Sequence, residues 1–226
     1  AGQDLTTLRG SPTGVFIGGF CLDMQLIRLG TLNRELIDNH TAASATLTML
    51  ANRLSWCLDL RGPSVTLDTA CSSSLVAVHL ACQAIRQGEC NLALVGGVNA
   101  LLVPEYFIAM SKGQFLAPEG RSAAFSAQAS GYARGEGAMI AVLKPLDAAI
   151  AAGDPILGVI LASGVNQDGR TPGITLPNPE AQITLMEEVH RRAGIDPTTV
   201  TYLEAHGTGT QAGDRAELEA LTQVFC

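Results

Sequence analysis

Between Ser64 and Arg86 the chain changes its period without an intervening loop-forming stretch. Ser64-Val65-Thr66-Leu67-Asp68-Thr69 sets β-branched and apolar residues against polar ones in alternation, the pattern of a strand. Leu75 to Arg86 is rich in Ala and Leu and free of Gly and Pro, which predicts a helix. A strand that empties straight into a helix is half of an α/β unit, and Cys71 falls at the junction. Ser72, Ser73 and Ser74 follow it, small residues suited to capping the helix start. A thiol there feels unpaired N–H groups and the positive end of the helix dipole, which favours the nucleophilic thiolate. The residues alone leave two readings open: a reactive cysteine, or the small buried hydrophobe that free cysteines commonly are.

The elements around this junction read as layers. Val15-Phe16-Ile17-Gly18-Gly19 is a short buried strand, and Ala43–Leu54 carries an amphipathic helical pattern. Arg61-Gly62-Pro63 turns into the strand before Cys71, and Asn91–Val98 is a second buried strand with a glycine pair that permits close backbone approach. Residues 104–131 are irregular in pattern, Ala138–Leu143 is a strand and Pro145–Gly153 a short Ala-rich helix. Ile156–Ser163 and Thr199–Leu203 read as strands on either side of a helix over Glu180–Ala193, with Gly194 as its C-cap. Asp214–Phe225 is the last helix. Two strand–helix–strand halves follow, residues 1–150 and 154–226, each with its polar functional residue at the carboxyl end of a strand.

Composition narrows the function. Charged residues are 15% and hydrophobic ones 47%, with 24 glycines, which suits a tightly packed α/β body with a modest polar skin. A net charge of −7 argues against nucleic acid or anionic membrane as a partner. The longest apolar run, Leu92–Pro104, is too short to span a bilayer, and no signal-peptide pattern opens the chain. The six cysteines (21, 57, 71, 82, 90 and 226) contain no CxxC and no Cys/His pairing at zinc spacing. They read as reduced thiols of a cytoplasmic protein without a metal centre. The Gly135-Glu136-Gly137 run lacks the spacing of a phosphate-cradling loop, and no GxSxG occurs.

A nucleophilic cysteine needs a partner. His79 is eight residues along the same helix, about 12 Å up the axis, which places it out of reach of the thiol as a packed or hydrogen-bonded residue. His190 sits among Glu188, Arg191 and Arg192 on an expected solvated face, and His40 lies in a polar linker. His206 differs, because it leaves a strand end and enters Gly207-Thr208-Gly209-Thr210, where bare backbone admits a substrate and hydroxyls offer hydrogen bonds. A loop histidine by itself is more often structural than catalytic. The pairing with Cys71 makes it the favoured partner, provided that the two face a common pocket.

Asp68-Thr69-Ala70-Cys71-Ser72-Ser73-Ser74 together with Glu204-Ala205-His206-Gly207-Thr208-Gly209-Thr210 resembles the elongating β-ketoacyl synthases, most closely the ketosynthase domains of modular type I polyketide synthases. The likeness takes in Ala51-Asn52-Arg53-Leu54-Ser55, Gly131–Gly137, Asn166-Gln167-Asp168-Gly169 and Gly173-Ile174-Thr175, and so runs almost end to end. It implies a thiolase-like fold of duplicated αβαβα layers, incomplete at both ends here, assembled as a homodimer. It makes Cys71 the acyl-accepting nucleophile and His206 the residue that assists decarboxylation of a malonyl-type extender and steadies the enolate. Thr208 and Thr210 would contact the phosphopantetheine arm of an acyl carrier protein, with no cofactor bound by the chain itself. Acyl thioesters and neighbouring polyketide synthase domains are the other implied partners, in a chemistry shared with fatty acid biosynthesis. The family's second catalytic histidine, its lysine and its glycine-rich oxyanion loop would lie outside residues 1–226.

The sequence also departs from the family. Gly213-Asp214-Arg215-Ala216-Glu217 stands where Gly-Asp-Pro-Ile-Glu is usual, and Ser126 and Ser130 stand where acidic residues are frequent. These changes bear on local packing or substrate preference. A silent, chain-length-factor-like partner is the alternative from another class; such relatives are expected to lack the nucleophile that Cys71 supplies.

Overall fold

The computed structural model describes residues 1–226. In chain order the elements are α1 (Leu5–Leu8), β1 (Thr13–Gly18), α2 (Asp23–Leu29), α3 (Thr41–Ala45), α4 (Thr48–Leu58), β2 (Ser64–Leu67), α5 (Ser73–Arg86) and β3 (Leu92–Asn99). Then come α6 (Glu105–Lys112), β4 (Gly137–Leu143), α7 (Leu146–Ala152), α8 (Pro179–Ala193) and α9 (Gln211–Phe225). The chain forms two compact units, one of residues 1–103 with 135–159, the other of 104–134 with 160–226.

The first unit is built on a four-stranded sheet of order β2-β1-β3-β4. β1 pairs in parallel with both β2 and β3, and β4 returns antiparallel to β3. The path steps from β1 outward to β2, then back past β1 to β3, so right-handed crossovers put the two connecting helices on opposite faces. Phe16, Ala93 and Val95 face Ala77, Ala81 and Ala84 of α5. Val15, Ile17 and Leu92 face the other way, with Ala51 of α4 among them. The period-2 alternation of the strands thus divides one sheet between two apolar layers.

The Ala-rich face of α5 lets it lie close to the sheet, and two glycines let its first turn lie closer still. A Cβ on Gly18 would stand 2.5 Å from the Ser74 amide nitrogen, and one on Gly97 would stand 2.9 Å from the Ser74 Cβ. The helix start is seated in a notch at the carboxyl ends of β1 and β3.

In the second unit, α8 and α9 pack together, and His190 of α8 meets the Phe225 ring edge-on with centroids 5.3 Å apart. His190 also bonds the Met186 carbonyl through Nδ1 at 2.8 Å, so it is a packing residue and not part of a solvated face. Asn178 caps α8 by accepting from the Glu180 and Ala181 amides, Pro179 begins the helix, and Gly194 ends it at φ 67. The Asn166-Gln167-Asp168-Gly169 run docks on this helix start: Asn166 donates to the Ala181 carbonyl and Asn178 to that of Asp168.

Four secondary-structure expectations change. Residues 104–131 are not wholly irregular, since α6 occupies Glu105–Lys112 and the Arg134 guanidinium lies over its Tyr106 and Phe107 rings at 5.5 and 5.2 Å. The helix expected over Ala43–Leu54 is two helices, divided where Thr46 turns extended at ψ 147. Hydroxyls of Ser44 and Thr46 bond carbonyls of Thr41 and Ala42, competing with helix continuation. Ile156–Ser163 and Thr199–Leu203 are not strands. A strand exists only as a ladder, and no segment of these residues pairs with either, which leaves Leu157 and Tyr202 exposed.

Gly18→Ala is expected to lower the stability of the first unit by about 2 kcal/mol, because the clash is with backbone. Gly137→Ala, where an added methyl meets nothing within 4 Å, should change it by less than about 0.5 kcal/mol. Urea midpoints of the two variants test the contrast. In α8 the Arg191 side chain, with Arg192 beside it, holds the Glu188 carboxyl down at about 2 from its ordinary 4.5. A depressed folded value stabilises above the ordinary value and fades as pH falls from 4.5 through about 2. Glu188→Gln should flatten the acid limb of a helicity-against-pH curve across that window.

Candidate functional site

The Cys71 turn is wound tightly between β2 and α5. The Asp68 carboxylate accepts from the Ala70 amide at 2.8 Å. The Ser73 hydroxyl accepts from the Thr69 amide at 2.8 Å and donates to the Ala70 carbonyl at 2.6 Å. Ser72 donates to the Thr69 carbonyl and shares a second bond with the Thr69 hydroxyl. These serines do not cap α5: Ser72 already has helical backbone angles and makes no side-chain cap bond. A short 3-10 turn, Ala70–Ser72, leads into the helix instead, and the hydroxyls brace it. Ala70 sits at φ 55, a left-handed conformation that costs a non-glycine residue about 1 kcal/mol. Ser73, 4% exposed, locks it in place, and the thiol of Cys71 stands exposed at the outer side of the turn.

Two carboxylates that sequence reasoning passed over shape the same edge of the sheet. Asp23, 3% exposed, accepts from the Leu102 and Val103 amides at 2.8 and 3.2 Å, and Glu136 accepts from the Leu101 amide at 2.7 Å. Three successive amides beyond β3 are captured this way. The second carboxylate belongs to the Gly-Glu-Gly run just before β4, so that run anchors a loop.

His206, Thr208 and Thr210 lie in the second unit, on the loop that enters α9. The His206 side chain is exposed. Its amide and that of Gly207 both donate to the Glu217 carboxylate, at 2.6 and 2.8 Å. Asp214 accepts from the Gly209 amide at 2.9 Å and from the Phe125 amide at 2.5 Å. Thr210 caps α9 by accepting from the Gly213 amide at 3.2 Å, and its hydroxyl meets that of Thr208 at 2.9 Å. Both threonine hydroxyls therefore already serve the loop's own bonding.

The two glycines of the loop have separate reasons. Gly207 and Gly209 take φ 51 and 72, and a Cβ on Gly209 would stand 2.9 Å from the Gly131 carbonyl oxygen. Gly131 in turn donates to the Gly209 carbonyl at 2.9 Å. Two glycine-bearing motifs, the Gly131–Gly137 and His206–Thr210 runs, thus meet backbone to backbone.

Asp214 and Glu217 are the two acids that the Gly213–Glu217 run shares with the family's usual pattern, while Arg215 and Ala216 depart from it. Their signal was positional: acids four and seven residues after Thr210, on the first two turns of a helix whose start carries the loop. Ser126 and Arg215 line one groove of about 710 Å³ between α9 and residues 125–129, together with Phe125, Leu218 and Thr222.

Comparison with known proteins adds a lineage. Residues 1–149 match the family model described as "Beta-ketoacyl synthase, N-terminal domain", and residues 157–226 match "Beta-ketoacyl synthase, C-terminal domain". The chain is 51% identical over 225 residues to a highly reducing polyketide synthase of Cryptosporiopsis sp., covering 100% of this chain and 9% of that one. It is 49% identical over 229 residues to a polyketide synthase-nonribosomal peptide synthetase of Pyricularia oryzae, covering 100% of this chain and 6% of that one. Among solved structures it is similar to the ketosynthase from module 6 of the bacillaene synthase of Bacillus subtilis 168, at 41% identity and a TM-score of 0.91. That match covers 100% of this chain and 38% of the other. An oxazolomycin ketosynthase domain of Streptomyces albus JA3453 gives 42% identity and a TM-score of 0.88, covering 98% of this chain and 37% of that one.

Thr210→Ala should cost about 1 kcal/mol by removing the cap of α9. Amide exchange read residue by residue should rise at Gly213 while the α8 amides stay as protected as before.

Proposed function

The chain belongs to the β-ketoacyl synthase family, and from that premise we propose that it supplies the acyl-accepting half-reaction and the first histidine of a polyketide synthase ketosynthase. The observation that carries this reading is the Cys71 turn, where a strained, braced strand-to-helix junction presents an exposed thiol at the carboxyl edge of a thiolase-like α/β sheet.

Cys71 takes the acyl group: its sulfur attacks an acyl thioester on a carrier protein, a new thioester forms, and the carrier thiol leaves with the proton. The Cys71 amide at the helix start would supply part of the oxyanion hole during that step. A malonyl-type extender on the carrier then loses carbon dioxide, and the enolate left behind attacks the Cys71 thioester carbonyl. The carbon–carbon bond forms as the sulfur of Cys71 departs. Splitting the condensation through a covalent intermediate replaces one hard step with two easier ones.

His206 assists the decarboxylation by stabilising negative charge on the extender's thioester oxygen, which requires its imidazole and the Cys71 sulfur to face one substrate. The glycines beside it seat the loop closely against Phe125 and Gly131, and the phosphopantetheine arm passes the loop's other face. Thr208 and Thr210 contact that arm through the one hydroxyl proton and the one lone pair that their loop bonds leave free between them. Carrier protein, homodimer and neighbouring synthase domains complete the reading. The chain spans 9% of the polyketide synthase it matches at 51% identity, so the second histidine and the lysine are assigned to chain outside residues 1–226.

In the full-length synthase, mass spectrometry should find the acyl group on Cys71 and lose it in Cys71→Ala. Acylation that persists without that thiol refutes the assignment. His206→Ala should slow malonyl decarboxylation by about 10²–10⁴-fold while acylation of Cys71 continues. Residues 1–226 alone should show no condensing turnover.

A further inference from the structure

Asp214 is 7% exposed, and each of its carboxylate oxygens accepts a backbone amide from a different segment. Oδ1 takes the Gly209 amide of the histidine loop, and Oδ2 takes the amide of Phe125, which is 89 residues away in sequence. Phe125 stands at φ 57, a conformation that a bulky residue rarely adopts. Its ring reaches the histidine loop as well: Phe125 Cε2 and Ala124 Cβ both lie 3.4 Å from where a Gly207 Cβ would be. Ala123 closes the contact, its amide nitrogen 3.0 Å from the Cβ position of Gly209. Glu217 acts differently, because both its bonds go to neighbouring amides of one loop.

We infer that Asp214 is a positioning residue that fuses the Phe125 turn and the His206–Thr210 loop into one rigid body, holding Phe125 in its strained conformation as the counterpart against which the loop is set. The bonds of Glu217 tie the loop to α9 alone, which leaves loop and helix start free to shift together against the Phe125 turn. The bridge through Asp214 removes that freedom, because a displacement of the loop breaks a bond at Phe125 or at Gly209. Imidazole placement is where such a displacement is felt, since a shift of about 1 Å in a catalytic group costs about 10²-fold in rate. The inference rests on the role given to His206 above.

Asp214→Asn is the informative change. A side-chain amide offers one acceptor oxygen and one NH₂, so only one of the two N–H groups keeps its acceptor and the other faces a donor. In the full-length synthase this variant should lower malonyl decarboxylation about 10- to 100-fold with KM for the extender little changed. Acylation of Cys71 should proceed at the unaltered rate. Amide protection should fall about 10-fold or more at Gly209 or Phe125. In a Phe125→Gly background, where φ 57 carries no strain, Asp214→Asn should cost measurably less.

An equal cost in both backgrounds overturns the bridge, as does a parallel fall in acylation and decarboxylation, which would mark a general packing role. Unchanged protection at both amides also overturns it. Should the variant not fold, the unaltered synthase gives a second measurement: Gly209 and Phe125 amides should open with the same exchange free energy, and unequal values refute the inference. If His206→Ala leaves decarboxylation intact, the catalytic reading fails while the exchange results still decide the bridge.

Discussion

The close seating of one helix start on one sheet underlies the first unit. α5 approaches β1 and β3 so nearly that Gly18 and Gly97 have no room for a side chain where Ser74 lies. That approach is driven by an Ala face on the helix, with Ala77 and Ala81 wholly buried against the strands. Once the helix is so placed, the turn before it has little length in which to reverse, and Ala70 is forced to positive φ. The display of Cys71 is thus a consequence of packing several residues away. It is stabilised by hydroxyls whose own bonding is local.

Carboxylates do for the loops what glycines do for the strands. Asp23 and Glu136 gather the amides of Leu101, Leu102 and Val103 in one unit, and Asp214 and Glu217 gather those of His206, Gly207, Gly209 and Phe125 in the other. Each is a charged acceptor on a peptide N–H, a bond stronger than its neutral counterpart. Loops lose much conformational freedom on ordering, and these bonds offset part of that cost.

The part of the site legible in the sequence was the part with local signals. Cys71 stood out because two periods meet there, and His206 because glycine and threonine crowd behind it. The groups that hold them did not stand out. Ser73 has the chemistry of a helix cap, yet its hydroxyl serves the turn because the preceding 3-10 residues already continue into the helix. The charged neighbours of His190 point to a solvated face, yet the ring of Phe225 packs against it.

What the sequence determined by itself was the kind and order of most elements, the two candidate reactive groups and, through long motifs, the family. Periodicity and turn chemistry are local, and they survive translation into structure wherever an element's neighbours merely cover it. Only the tertiary structure decided which backbone amides each carboxylate takes, where Ala70 and Phe125 carry strain, and that Ile156–Ser163 and Thr199–Leu203 form no ladder within these residues. Each of those depends on a partner remote in the chain, such as the 89 residues between Phe125 and Asp214, and no local pattern encodes the meeting of two such groups.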